Sequence, residues 1–225
     1  MKLLNNLLIV GIIAFTLNTP VQAQKLFSGT IEYEITYPGA ELDPVTAASL
    51  PTSLSMTISG KKSRVEMQQG MMNIIKINNA ETMSSVSLLD IMGQKYAIKT
   101  TKEEIEEQMA KMPPAKITIT EESKEIAGKK TTKAVIVFSS EDGTEVTEEV
   151  YFCPEIGGNS FNFDTQYKDI NGGLLEYRIE SQDIVMLFTA KEIKSKKIKD
   201  TSFMIPTDYQ EVSAEELMEI FGGME

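Results

Sequence analysis

The sequence predicts an α+β fold, a curved antiparallel sheet with two or three short helices segregated from its strands. Three observations carry this expectation. Short segments alternate apolar and polar side chains with period two, as in "FSGTIEYEITY" over Phe27–Tyr37, where odd positions are apolar or glycine and even positions polar. Turn-forming residues such as Asn78, Asn79, Asp90 and Gly93 divide these segments at the short spacing of a meander. A few segments instead open with helix-start signals ahead of apolar residues three or four apart.

Residues 1–23 come before the first strand and read as a secretory signal peptide. Lys2 supplies the positive start, Leu7 to Leu17 the apolar stretch, Asn18 to Pro20 a polar break, and Val21 with Ala23 the small residues a signal peptidase accepts. Cleavage after Ala23 would leave a mature chain starting at Gln24 in the periplasm. The apolar run is shorter than the roughly 20 residues a spanning helix needs. No cysteine follows the cleavage point, which argues against a lipid anchor.

The first strand places Ile31, Tyr33 and Ile35 on one face and Glu32 and Glu34 on the other. "YPGAELDP" then breaks the chain, and Asp43 with Pro44 caps a short helix over Val45 to Leu50. Strands resume at "LSMTIS", with Leu54, Met56 and Ile58 on one face, and at "SRVEM", with Val65 and Met67 opposed to Arg64 and Glu66. "NIIKIN", "MSSVSLLD" and "QKYAIKT" continue the series. "TKEEIEEQMAKM" interrupts it as a helix: Thr101 and Glu104 form a capping box, Ile105, Met109 and Met112 share a stripe, and Pro113-Pro114 ends it. Five more strands follow in "AKITITEE", "TTKAVIVFS", "TEVTEEVYF", "LLEYRIES" and "IVMLFTAKEIKSKKI". "SAEELMEIF" closes the chain as a helix with a Ser213–Glu216 capping box and Leu217, Ile220 and Phe221 on one face. A sheet this large with one apolar face must curl or be covered. The few short helices leave room for a hydrophobic cavity.

Composition limits the chemistry. The 225 residues carry a formal net charge of −11, a surface that repels nucleic acid. There is no histidine, which removes histidine-activated serine or cysteine nucleophiles and histidine-ligated zinc. Cys153 is the single cysteine, so no intramolecular disulfide braces the fold, and its place at the end of an apolar strand fits an inert buried thiol. The carboxylate cluster Glu103-Glu104-Glu106-Glu107 serves a helix start. "DTQYKDINGG" puts Tyr167 where an EF-hand loop needs aspartate, and the glycine pairs at 157–158, 172–173 and 222–223 match no phosphate loop. No cofactor or metal motif is present, and the expectation is a protein that is not an enzyme.

Several of these stretches carry a resemblance. "FSGTIEYEITY", the G-K-x-S-R-V-E-M strand at Gly60–Met67, "SLLDIMGQKYAIK", "KEIAGKKTTKAVI" and "FMIPTDYQEVSAEEL" together resemble a domain family of unknown function in exported proteins of Bacteroidota. That family looks like the LolA/LolB-type lipoprotein carriers. The resemblance implies a LolA-like half-open β-barrel over residues 24–225, closed by helices over a hydrophobic cavity. It also implies a carrier or binding protein for a lipid, an acyl chain or another hydrophobic ligand. The cavity wall would comprise Ile31, Tyr33, Ile35, Met56, Ile58, Val65 and Met67, with the Met109 and Met112 helix as lid. Carriers of this type use an arginine in closing the cavity. The two arginines here, Arg64 and Arg178, sit opposite apolar positions, as solvent-facing charges do. The alternative is a non-enzymatic envelope domain with a filled core that engages an envelope protein. Lys194, Lys196 and Lys197 lie in a lysine-rich stretch that either protects an edge strand or docks to an anionic surface.

Overall fold

Alternation in the sequence becomes alternation in burial. The computed structural model of the protein describes residues 26–139, 145–158, 161–181 and 184–222. The expected signal peptide and its cleavage point lie outside them. In β1 (Ser28–Thr36), Ile31, Tyr33 and Ile35 are buried while Glu32 and Glu34 are exposed. The chain continues through β2 (Ser53–Ser59), β3 (Lys62–Gln69), β4 (Met72–Asn79), β5 (Ser84–Ile91) and β6 (Gln94–Thr100). After a helix come β7 (Ala115–Ile126), β8 (Lys129–Ser139), β9 (Glu145–Cys153), β10 (Gly173–Ser181), β11 (Ile184–Ser195) and the short β12 (Gln210–Glu211).

All twelve strands join one sheet in the order β12-β6-β5-β4-β3-β2-β1-β11-β10-β9-β8-β7. Every pairing is antiparallel except that of β12 with β6, a strand the local pattern did not announce. Two-residue turns join several hairpins, and one, Met92-Gly93, holds a non-glycine residue at φ 54°. The helices are α1 (Pro44–Ser49), capped by Asp43, α2 (Lys102–Ala110), with the Thr101–Glu104 capping box formed in both directions, and α3 (Ala214–Gly222). At α3, Ser213 and Glu216 exchange the two capping hydrogen bonds.

The pairing registers sort side chains onto two faces. One row runs Tyr33, Leu54, Met67, Ile74, Leu89, Tyr96 and the next Ile31, Met56, Val65, Lys76, Ser87, Ile98, all on one side of the sheet. That side is concave, because β4 and β10, five strands apart in the order, line one groove. The other side of β4–β6 carries Ile75, Ile77, Leu88 and Ala97, buried beneath Phe203, Ile205 and Tyr209. The C-terminal segment therefore straps the convex face. Ion pairs of 2.7 Å from Lys95 to Asp208 and Lys99 to Glu211, with the Val212 N–H donated to the Ala97 carbonyl, hold it there.

One expectation is met only in part by this topology. β11 lies inside the sheet order, between β1 and β10, and the sheet's terminal strands are β7 and β12, but the part of β11 that carries Lys191 and Lys194 is paired on its β1 side alone. Pairing with β10 ends at Thr189, whereas pairing with β1 continues to Ser195. The terminal strand β7 is also guarded: its exposed positions include Lys116, Glu121, Glu122 and Glu125, and its register breaks between Ile119 and Ser123.

Candidate functional site, a groove on the concave face

The connection between β9 and β10 fills much of the concavity. Phe161, Phe163, Tyr167 and Ile170 are buried, and the segment joins both main apolar clusters of the core. Gly157 permits this packing: its φ is +78°, and a Cβ there would come within 2.3 Å of the Phe161 ring. Asn162 ties the segment together by donating from Nδ2 to the carbonyls of Ile170 and Gly172, both at 2.9 Å. At the other end, the Tyr167 hydroxyl lies 2.9 Å from both Glu148 Oε2 and the Arg178 carbonyl, and it accepts from Gln166 Nε2. Burial pushes the Glu148 carboxyl above the usual glutamate value, against the hydrogen bonds from Tyr167 and Gln166.

An aromatic group underlies the segment. Tyr177 stacks on Phe188 at 4.8 Å between centroids and meets Tyr33 and Tyr167 edge-on. Tyr33 donates to the Leu174 carbonyl at 2.7 Å. Burial raises the pKa of Tyr33, Tyr167 and Tyr177, so these phenols keep their protons at neutral pH.

A groove of about 380 Å³ remains between this segment and strands β2–β4. Its apolar part is formed by Met56, Val65, Phe161, Leu174, Tyr177 and Ile179, with the exposed Met112 at the lip. Its polar end gathers Ser63, Lys76, Asn78, Asp164 and Gln166. Lys76 Nζ stands 2.5 Å from Asp164 Oδ2, joining β4 to the β9–β10 connection across the concavity. The Asp164 side chain is only 5% exposed. Beyond the groove, Met67, Ile74, Leu89 and Ile98 remain half-buried on the same face, in contrast to the covered convex side.

The residues singled out from the sequence divide accordingly. Met56 and Val65 line the groove. Ile31, Tyr33, Ile35 and Ile58 are buried in the core below it. Met67 packs against that core without lining the groove. Met112 lies at the lip, just past the end of α2, whereas Met109, on α2, is half-buried and does not line the groove. The larger part of the covering comes from the β9–β10 connection, which local pattern reading treated as turns. Phe161, Phe163, Tyr167 and Ile170, crowded between two glycine pairs, were the signal available for it.

Arg64 and Arg178 do not face the groove. Arg64 pairs with Glu66 at 2.7 Å on the convex side. Lys194 pairs with Glu192 at 2.8 Å, and Lys196 and Lys197 border a separate, more polar hollow of about 760 Å³ with Lys129 and Glu155. Cys153 is buried, and desolvation raises its thiol pKa. Among the described residues, no cluster of three or more acidic, histidine or cysteine side chains suits a metal ion, and no helix is long and apolar enough to cross a membrane.

These features define a class: a curved, open antiparallel sheet with an apolar groove and one polar end on its concave side. No known family model and no curated protein matches the chain. Among solved structures, the chain is similar to the crystal structure of LprF from Mycobacterium bovis, with 10% identity, coverage of 81% of this chain and 90% of that one, and a TM-score of 0.34.

Proposed function

We propose that the protein is an exported, periplasmic binding or carrier protein that takes one hydrophobic chain, such as a lipid acyl chain, into the groove between β2–β4 and the β9–β10 connection. The observation that supports this most is the asymmetry of the β4–β6 half of the sheet. Its convex face is buried under the C-terminal segment, while Ile74, Leu89 and Ile98 on its concave face stay half-exposed beside the groove. Apolar surface left open on a concave wall is the usual form of a ligand site. A volume of about 380 Å³ sits near the lower end of small-molecule sites, roughly 300–1,000 Å³, and suits one chain rather than several.

The test uses the mature protein and the fluorescent probe 1-N-phenylnaphthylamine, together with mass spectrometry of co-purifying lipids. Wild-type protein should bind the probe, and Val65→Trp, which fills the groove, should lose binding on the order of tenfold while keeping its melting temperature within a few degrees. Absence of probe binding and of extractable lipid rejects the reading. That result would favour the alternative, an envelope interaction domain, which draws support from the extent to which the β9–β10 connection already fills the concavity. Export itself is tested by intact mass, with Gln24 expected as the first residue. Docking through Lys194, Lys196 and Lys197 predicts salt-sensitive binding to anionic vesicles that reversal of the three to Glu abolishes.

A further inference from the structure

Building on the groove-binding reading, we infer that its polar end selects an uncharged headgroup rich in hydrogen-bond donors, as in a monoacylglycerol, over the carboxylate of a fatty acid. Of the described residues lining the groove, Lys76 and Asp164 carry the only formal charges, and they neutralise each other at 2.5 Å. No net positive charge is left for an anion. A carboxylate placed beside Lys76 would also face the almost fully buried Asp164, and it would approach a chain of net charge −11.

The unmet hydrogen-bonding capacity has a sign. Asn78 Oδ1 is a buried oxygen without a hydrogen-bond partner, whereas Asp164 Oδ2 is met by the Lys76 ammonium 2.5 Å away. The unpartnered atom is an acceptor, so the deficit is of a donor. Hydroxyl groups supply donors, and a carboxylate supplies further acceptors. Asn78 lines the groove, and its terminal torsion is broad, so a modest rotation turns its oxygen toward a bound headgroup. The acyl chain then lies along Met56, Val65, Tyr177 and Ile179, and the headgroup lies against Lys76, Asn78 and Asp164.

Competition between ligands sharing one chain tests this. Monolaurin and laurate, both below their aggregation concentrations and at a pH where laurate is ionised, displace 1-N-phenylnaphthylamine from the mature protein. Monolaurin should compete on the order of tenfold more strongly, a difference of about 1.4 kcal/mol, the size of a hydrogen bond to a group otherwise left unpaired. Asn78→Leu should reduce that preference severalfold, read as the ratio of the two competitors' potencies against the probe affinity measured for the variant itself. Asp164→Asn, which removes the opposing anion and frees Lys76, should strengthen laurate binding. Probe binding with laurate equal to or better than monolaurin, or with both variants leaving the ratio unchanged, overturns the headgroup assignment alone. Failure of the probe to bind overturns the groove reading on which it rests.

Discussion

Removing the Asn162 side chain should destabilise the fold by about 2–3 kcal/mol, although the residue is neither apolar nor charged. Its amide is 8% exposed and donates two hydrogen bonds of 2.9 Å, to the carbonyls of Ile170 and Gly172. Two carbonyl oxygens on one side require the nitrogen there, which sets the amide orientation. Each bond contributes a net of about 0.5–1.5 kcal/mol, and a buried carbonyl left without a donor costs about 1–3 kcal/mol. Asn162→Ala loses both bonds while admitting some solvent, hence the middle of that range. Asn162→Asp should be worse, because it turns a carboxylate oxygen toward two carbonyl oxygens. Urea unfolding followed by circular dichroism reads the effect directly. With a slope of about 1–3 kcal/mol per molar urea, the alanine variant's midpoint should fall by roughly 1–2 M at unchanged slope. If both variants lie within about 0.5 kcal/mol of wild type, Asn162 does not hold the connection, and the covering of the concave face needs another explanation.

Three further outcomes follow from the same geometry. Ile35→Asp should cost several kcal/mol by placing an unpaired charge in the core, whereas Glu34→Lys, losing only the exposed 2.8 Å pair with Lys191, should stay within about 0.5 kcal/mol; equal shifts in urea melts would refute the strand register. Glu148→Gln should raise the melting temperature at neutral pH. The folded pKa of Glu148 is raised, so the stability tied to its protonated form is complete below the ordinary glutamate value, about 4.3, and is lost as pH rises through the folded pKa; the variant's advantage should vanish at about pH 4, and a pH-independent difference would contradict this. Met92→Asn, at a turn position with φ 54° and a side chain 75% exposed, should stabilise by about 0.5–1 kcal/mol in thermal melts, and a loss would show that Met92 makes contacts the turn depends on.

Much of the architecture is legible residue by residue. The period-two pattern of Ile31, Tyr33 and Ile35 assigns them to one face because a strand offers its side chains only two directions. Thr101 with Glu104 and Ser213 with Glu216 mark their helix starts because the bonds that cap a helix span three residues. The lysines of β11 illustrate the limit. A dense run of lysine is what an edge strand uses, yet β11 lies inside the sheet order and Lys191 meets Glu34 of β1, a partner visible only once the strands are paired. The donor-deficient end of the groove was equally hidden. Lys76 reads as a polar position of a strand and Asn78 as a turn residue, and Asp164 belongs to no patterned segment.

The sequence by itself determined the elements, their caps and turns, the face each strand residue takes, the acidic surface and the absence of histidine chemistry. These depend on neighbours a few positions away, where chain geometry leaves little choice. Only the tertiary structure decided which elements lie beside which. It placed the C-terminal segment on the convex face, laid the β9–β10 connection into the concavity, and brought Lys76 to within 2.5 Å of Asp164, eighty-eight positions along the chain. Strand order and sheet curvature set those meetings, and both are settled by packing the whole apolar surface at once rather than by any local pattern.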